Sequence, residues 1–323
     1  MHADQTTRPL TGAEVEAFDR DGVVCLRELF DPHVVRSLVP AIERLAAAIG
    51  ETSTGYDMEN LGDAAYSEAE QFDYGHAKQY DLELFAGWLR YEGDPRAVED
   101  VPEGAPKGAF LTDTGCWRRS TAIKQLAFDP GLVEAVGRLM RSNAVGYYDD
   151  QMFVKRPGTR QKTDWHQDYP FFHIEGWQGC VVWIPTDATD AETGTMRYVR
   201  GSHRWDTEFG AGMFVSRTLM PGSIGEKVPD IDADPDAYDV ISFDLEPGDV
   251  VVHHFRTLHG AGGNRSMARH RRAMSLRYVG DDMRYKLKPG APFQPHLTHN
   301  IAEGQPVWCD DFPLLRPPRR AAA

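Results

Sequence analysis

From about residue 144 the chain breaks into short β-like runs, each closed within a few residues by Gly, Pro or Asp, and this punctuation narrows the fold more than any other feature. The runs are Val145–Tyr148, Met152–Lys155, Gly179–Ile184, Met196–Val199, Val250–His254 and Ala273–Val279. Such spacing predicts an antiparallel sandwich or jelly roll. Pro247-Gly248-Asp249 reads as a tight turn feeding one strand, and 201–244 as a long insertion between strands.

The first 143 residues read differently. Thr11-Gly12-Ala13-Glu14 forms a capping box opening a helix that ends near Gly22, followed by a β-like run Val23–Leu26. Asp31-Pro32 caps a longer helix whose apolar face is Val34, Val35, Leu38, Ile42 and Leu45, ending before Gly50. Asp129-Pro130 starts another, through Leu132, Val133, Val136, Leu139 and Met140, and Leu82–Leu89 is expected to form a helical turn or two. No poorly connected linker is visible. The expectation is therefore one domain, 1–323: a helical portion 1–143 with an acidic insertion 51–104, a jelly-roll core 144–280, and an extension 281–323 whose tail from Arg316 is frayed.

Composition removes several function classes. With 41% apolar and 26% charged residues the chain is an ordinary globular protein. A net charge of −14 argues against nucleic acid, which needs a basic surface. No run approaches the roughly 18 apolar residues of a membrane span, and the N-terminus lacks a basic-then-apolar signal. Cys25, Cys116, Cys180 and Cys309 are dispersed without a Cys-x-x-Cys pair, which favours reduced thiols and a cytoplasmic location. Residues 51–104 carry fourteen acidic against three basic side chains. A solvated insertion explains this; an acidic lid favouring an amine-bearing substrate is the sharper alternative.

Chemistry concentrates in Trp165-His166-Gln167-Asp168 and in His259, 93 residues after His166 and directly before Gly260-Ala261-Gly262-Gly263. Side chains two apart share a face, so His166 and Asp168 can converge on one metal from a strand end. Two imidazoles and one carboxylate leave a face of an octahedral iron(II) open for dioxygen and a bidentate co-substrate. His-x-Asp alone is a weak signal. His253 and His254 are adjacent, so at most one can approach the metal, and both are expected to be strand or supporting residues. His203 is expected to be a structural hydrogen-bonder. Trp117 reads as core, with contact at a substrate rim as the alternative.

With these residues in place the chain resembles the phytanoyl-CoA dioxygenase family of Fe(II)- and 2-oxoglutarate-dependent oxygenases, over about residues 11–280. Trp183-Ile184-Pro185-Thr186-Asp187, Gly194-Thr195-Met196-Arg197, Gly201-Ser202-His203, His259-Gly260, Asn264-Arg265-Ser266 and Arg271-Arg272-Ala273 carry the rest of the likeness. The resemblance implies a mainly β fold with flanking helices around a double-stranded β-helix (jelly-roll, cupin-like) core. It implies His166, Asp168 and His259 as ligands to Fe(2+), and an arginine gripping the far carboxylate of 2-oxoglutarate. Arg271 matches best, one residue beyond the commonest spacing, with Arg272 and then Arg269 as rivals. Gln151 and Trp183 are implied to line the co-substrate pocket, and alternation from Arg271 through Ala273 places Ser275 on the same face. Asp168 occupies the position that is a small residue in related halogenases, so hydroxylation, desaturation or cyclisation is expected instead.

These readings converge on a dioxygenase that uses O2 and 2-oxoglutarate to hydroxylate an unactivated C–H of a small metabolite, neutral or cationic, releasing succinate and CO2. A non-catalytic jelly-roll binding or sensor protein, and a 2-oxoglutarate-independent cupin-type metalloenzyme, are the alternatives.

Overall fold

A computed structural model describes residues 7–51, 54–59, 97–220, 222–292 and 297–318. The helical turns expected over Leu82–Leu89, and most of the acidic insertion, lie outside these residues.

The chain opens with α1 (Gly12–Asp21), capped as expected: Thr11 Oγ1 accepts from the Glu14 N–H, and Glu14 reaches back to the Thr11 N–H. Such a cap contributes about 1 kcal/mol. Gly22 ends the helix at φ 72°; a Cβ there would lie 2.3 Å from His203 Nδ1, so the position needs glycine twice over. Strand β1 (Val23–Leu26) follows. The single helix expected after Asp31 is two, α2 (Pro32–Arg36) and α3 (Val39–Ala47). Pro40 explains the break, because it has no N–H to donate to the preceding turn and its ring crowds that turn. Then come β2 (Gly55–Asp57), β3 (Phe110–Thr114), α4 (Thr121–Ala127) and α5 (Pro130–Leu139).

The first two expected core strands are one, β4 (Val145–Lys155). Its polar centre, Asp149-Asp150-Gln151, looks like a break but is held by tertiary partners. Asp150, fully buried, accepts from the N–H groups of Cys116 (2.6 Å) and Trp117 (2.9 Å) and from the Tyr147 hydroxyl (3.1 Å). Burial, then the neighbouring Asp149, lifts its pKa to about 7. The remaining strands are β5 (Thr163–His166), β6 (Ile174–Glu175), β7 (Gly179–Pro185), β8 (Met196–Val199), β9 (Val240–Ser242), β10 (Val250–His254), β11 (His259–Ala261), β12 (Arg271–Val279), β13 (Arg284–Tyr285) and β14 (Leu314–Arg316). Arg316, expected in a frayed tail, instead pairs in β14 and binds Glu134 at 2.7 Å.

Two antiparallel sheets make the jelly roll. The larger runs β1-β10-β7-β12-β4-β3-β2, with β14 also on β4; the smaller runs β5-β11-β8-β9. Period-two alternation on β12 decides what each face does. Met274, Leu276 and Tyr278 point to the main apolar core with Ile42, Leu132 and Val136 from the helices. Ala273 points the other way, into a smaller cluster with Trp183, Met196, Tyr198 and Val251 between the sheets. Covering the outer face with helices buries the apolar half of the sheet and leaves the inner face for polar chemistry.

Candidate active site

β5 ends on His166 and β11 begins on His259, and the two are cross-strand partners, ring centroids 4.2 Å apart. Asp168 is not on the strand: it stands at αR (φ −73°, ψ −35°) where a short 3-10 turn, Tyr169–Phe171, begins. That turn, more than strand alternation, brings the carboxylate back over the imidazoles. One potential ligand atom from each of His166, Asp168 and His259 lies within 4.8 Å of the others, and all three residues are buried. His166 Nδ1 meets Asp164 O at 2.7 Å and His259 Nδ1 meets Thr257 O at 2.9 Å. Each Nδ1 is thereby fixed as the N–H, which leaves each Nε2 with its lone pair for a cation. Burial holds both imidazoles down to about 4, so they are neutral, ligand-ready bases near pH 7. Burial acts to raise Asp168, but His259 and the His253 hydrogen bond outweigh it and keep the carboxylate ionised. The donor set thus fits a divalent first-row metal.

His253 and His254 face opposite ways, as adjacency requires. His253 Nε2 reaches Asp168 Oδ2 at 3.1 Å and steadies it. His254 lies outside the site, its Nε2–H donating to Trp177 O (2.7 Å) and its Nδ1 accepting the Arg256 N–H (3.1 Å). Both bonds require the neutral ring, and burial, then His203, pushes its pKa down to about 3. An unfolded imidazole takes its proton near 6.5, so between these values the unfolded chain binds more protons and stability falls as pH falls. His254→Gln is expected to flatten the decline of thermal stability between pH 6.5 and 4 by on the order of 1.4 kcal/mol per pH unit. An unchanged slope would show that the ring is not held neutral.

A space of about 380 Å³, counting its opening to solvent, adjoins the triad. Gln151, Trp183, Arg271 and Ser275 all line it. Gln151, Ser275 and Trp183 form one rung across β4, β12 and β7, which is why they share the floor. Arg271 is 1% exposed, with its guanidinium over the Trp183 ring at 4.9 Å. Its sole hydrogen bond among the described residues goes to Met196 Sδ at 3.6 Å. Arg271 Nε, Trp183 Nε1 and Tyr198 Oη are all buried without a partner among the described residues. Burial pulls Arg271 down to about 10. A buried guanidinium with no counter-charge is costly, and three orphaned donors fit the carboxylate of a ligand. The rivals are engaged elsewhere: Arg272 binds Asp187 at 2.6 Å and Glu43 at 3.0 Å, while Arg269 pairs with Asp190 and Glu192.

The sequence reading missed three residues here. Arg277 lines the space and is 6% exposed; continuing the alternation one step of two residues past Ser275 would have found it. Tyr198 lies near Arg271, one residue past the quoted Met196-Arg197. Phe214 comes from the long insertion, at φ 54°, and packs its ring 5.2 Å from that of His166; no pattern in that segment announces it. Trp117 is core, edge-on to Tyr147 at 6.0 Å. His203 is structural, its Nε2 3.3 Å from Asp19 O.

A double-stranded β-helix carrying a His-x-Asp…His cluster between its sheets defines a cupin-like, metal-binding scaffold. The chain belongs to the phytanoyl-CoA dioxygenase (PhyH) family, which it matches over residues 18–273. It is 28% identical over 131 residues to a probable alpha-ketoglutarate-dependent hypophosphite dioxygenase of Stutzerimonas stutzeri, covering 39% of this chain and 43% of that protein. It is 25% identical over 182 residues to a probable phytanoyl-CoA dioxygenase of Caenorhabditis elegans, covering 54% and 56%. The matches thus span about half the length of these curated relatives. Among solved structures, the epimerase SnoN in complex with Fe3+, alpha ketoglutarate and nogalamycin RO superposes with a TM-score of 0.63 at 19% identity, over 94% of this chain and 98% of that one. EctD from S. alaskensis with 2-oxoglutarate and 5-hydroxyectoine gives 0.54 at 16%, over 86% and 81%. At these identities the likeness concerns the fold.

Proposed function

We propose that this protein is an iron(II)- and 2-oxoglutarate-dependent oxygenase acting on a C–H bond of a small molecule. The observation that carries this reading is the pairing of a buried His166–Asp168–His259 cluster with an uncompensated, buried Arg271 on the same cavity. His166 Nε2, His259 Nε2 and an Asp168 oxygen would hold iron. Arg271 would grip the far carboxylate of 2-oxoglutarate, with Tyr198 Oη and Trp183 Nε1 as further donors and Ser275 beside them. Bound iron, 2-oxoglutarate and O2 would supply the oxidising power, with succinate and CO2 as co-products. The chain's own part is to fix these groups, exclude water and aim one substrate carbon at the metal's open face. Phe214 and Phe153, stacked 5.9 Å apart, form an apolar wall suited to that exclusion.

Hydroxylation is the default outcome of such a site. SnoN is described as an epimerase and SnoK as a carbocyclase, so stereoinversion and ring closure are outcomes this scaffold can host. Asp168 fills the position that halogenation would need vacant. A decayed binding or sensor protein would have no reason to keep Arg271 buried and unpaired, and a 2-oxoglutarate-independent metalloenzyme would not need it. Residues 1–323 are taken as one oxygenase unit, because α1, α3 and α5 pack on the same sheet that carries Arg271. No described helix is long and apolar enough to cross a membrane; a cytoplasmic location is part of this proposal.

The expectation of a neutral or cationic substrate came from the acidic run of residues 51–104, most of which lies outside the described residues. Of its described members, Glu59 accepts the Gln161 N–H at 2.7 Å and Glu99 the Gly263 N–H at 2.5 Å. Those carboxylates are engaged in holding loops. The test of function is anaerobic addition of iron(II) and 2-oxoglutarate, read by charge-transfer absorbance, then exposure to air with a metabolite panel read by succinate release. Absence of both signals would sink the proposal.

A further inference from the structure

On the inner face of β12 the alternation Arg271, Ala273, Ser275, Arg277 puts a second guanidinium six residues from the first, about 20 Å along the strand. Its rung runs from Asp149 through Arg277 and Val181 to His253, the residue that touches Asp168. Arg277 therefore stands at the triad's end of the cavity. It is 6% exposed, lies over the Phe172 ring at 5.1 Å, and lines the cavity. Its Nη2 donates to Gln151 Oε1 at 2.5 Å while Gln151 Nε2 donates to Thr112 Oγ1 at 2.8 Å. Its Nε is buried without an acceptor among the described residues. Among the described residues it makes no ion pair, its register partner Asp149 included. Gln151, expected to serve the co-substrate, has both ends of its amide engaged and holds Arg277 in place.

We propose that Arg277 is the substrate's anchor and that the substrate presents a compact anionic group, a carboxylate or phosphonate, to it. This rests on the oxygenase reading above, in which Arg271 takes the co-substrate. The charge of the lining supports it: iron(II) and doubly ionised 2-oxoglutarate cancel, Asp168 offsets Arg271, and Arg277 remains as a lining cation with no ion pair among the described residues, the buried carboxylate of Asp149 opposite it on β4 standing outside the lining. A cationic substrate would meet that charge in a poorly solvated space, where like charges repel strongly. The two guanidiniums would hold co-substrate and substrate at different places along the one cavity.

The test uses protein loaded anaerobically with iron(II) and 2-oxoglutarate, and four probes of matched size: butanoate, propylphosphonate, butanamide and butylamine. Thermal midpoint and the charge-transfer band are read for each. Butanoate or propylphosphonate is expected to raise the midpoint and perturb the band, and which of them does so identifies the anion. Butanamide and butylamine are expected to do neither. Arg277→Met is expected to weaken the anion at least ~30-fold, with Arg277→Lys restoring part of the loss and 2-oxoglutarate affinity intact in both. Equal or better protection by the amide or amine, no protection by either anion, or unweakened anion binding in Arg277→Met overturns the proposal. Weakened 2-oxoglutarate binding in Arg277→Met also overturns it, by assigning the arginine to the co-substrate. Failure of the oxygenase reading is distinct, because the band would then be missing from the unmodified protein.

Discussion

His259→Ala is expected to abolish iron retention while leaving a folded protein. The three ligand atoms are gathered within 4.8 Å by two short strands and one turn, and removing an imidazole leaves two donors that cannot define a face. Loss of a supporting residue around a metal typically costs 10–100-fold in affinity, so loss of a ligand should exceed ~100-fold. His253→Ala provides the graded comparison. Its ring contacts Asp168 at 3.1 Å and is not a member of the cluster, so iron binding should weaken within that 10–100-fold range. His166→Ala and Asp168→Ala should match His259→Ala. Metal analysis after gel filtration, with circular dichroism as the folding control, decides the matter. Normal iron stoichiometry in the His259 variant would refute the assignment, and equal loss in the His253 variant would enlarge the ligand set.

What the sequence revealed depended on whether local pattern or tertiary partnership set each element. β8 and β10 fell where their bounded β-like runs placed them, and α1 began at its capping box, because each signal is written within a few neighbouring residues. β4 reads as two runs because Asp149-Asp150-Gln151 looks like a turn; its partners, the backbone of Cys116 and Trp117 and the side chain of Arg277, are distant in sequence. β11 and β3 were missed, and β5 is read only as a strand end at His166, because short strands hold few residues with which to show a period, and their pairing is with strands far along the chain. The break at Pro40 was legible and overlooked: an apolar stripe of helical spacing outweighed a residue that cannot continue the ladder. In the site, motif spacing brought His166, Asp168 and His259 forward, yet the choice among Arg269, Arg271 and Arg272 needed the ion pairs. Adjacent arginines on a strand face opposite sides, so pairing of Arg272 with Asp187 on the outer side goes with solitude of Arg271 on the inner one.

That solitude gives the second large effect. Arg271→Ala is expected to weaken 2-oxoglutarate binding by about 2–5 kcal/mol, the cost of removing one partner of a desolvated charge pair, or roughly 30-fold to several thousand-fold in Kd. Arg271→Lys should recover only part of this, since an ammonium supplies a point charge where the planar fork can bind a carboxylate through two parallel bonds. Arg272→Ala should change Kd by less than about 3-fold. Its pairs with Asp187 and Glu43 lie toward the outer side of the sheet, and their loss affects stability by the ~1 kcal/mol typical of partly exposed ion pairs. Anaerobic titration of 2-oxoglutarate against the iron charge-transfer band in the three variants separates these outcomes. The metal-free Arg271→Ala protein offers an independent readout. Burying an unpaired guanidinium is unfavourable until its ligand arrives, so removing it should cost the ligand-free fold little, beyond the cavity left beneath the Trp183 ring. A variant that binds 2-oxoglutarate normally would free Arg271 from this role. If Arg272→Ala binds more weakly than Arg271→Ala, the guanidinium that meets the co-substrate is one residue further along β12.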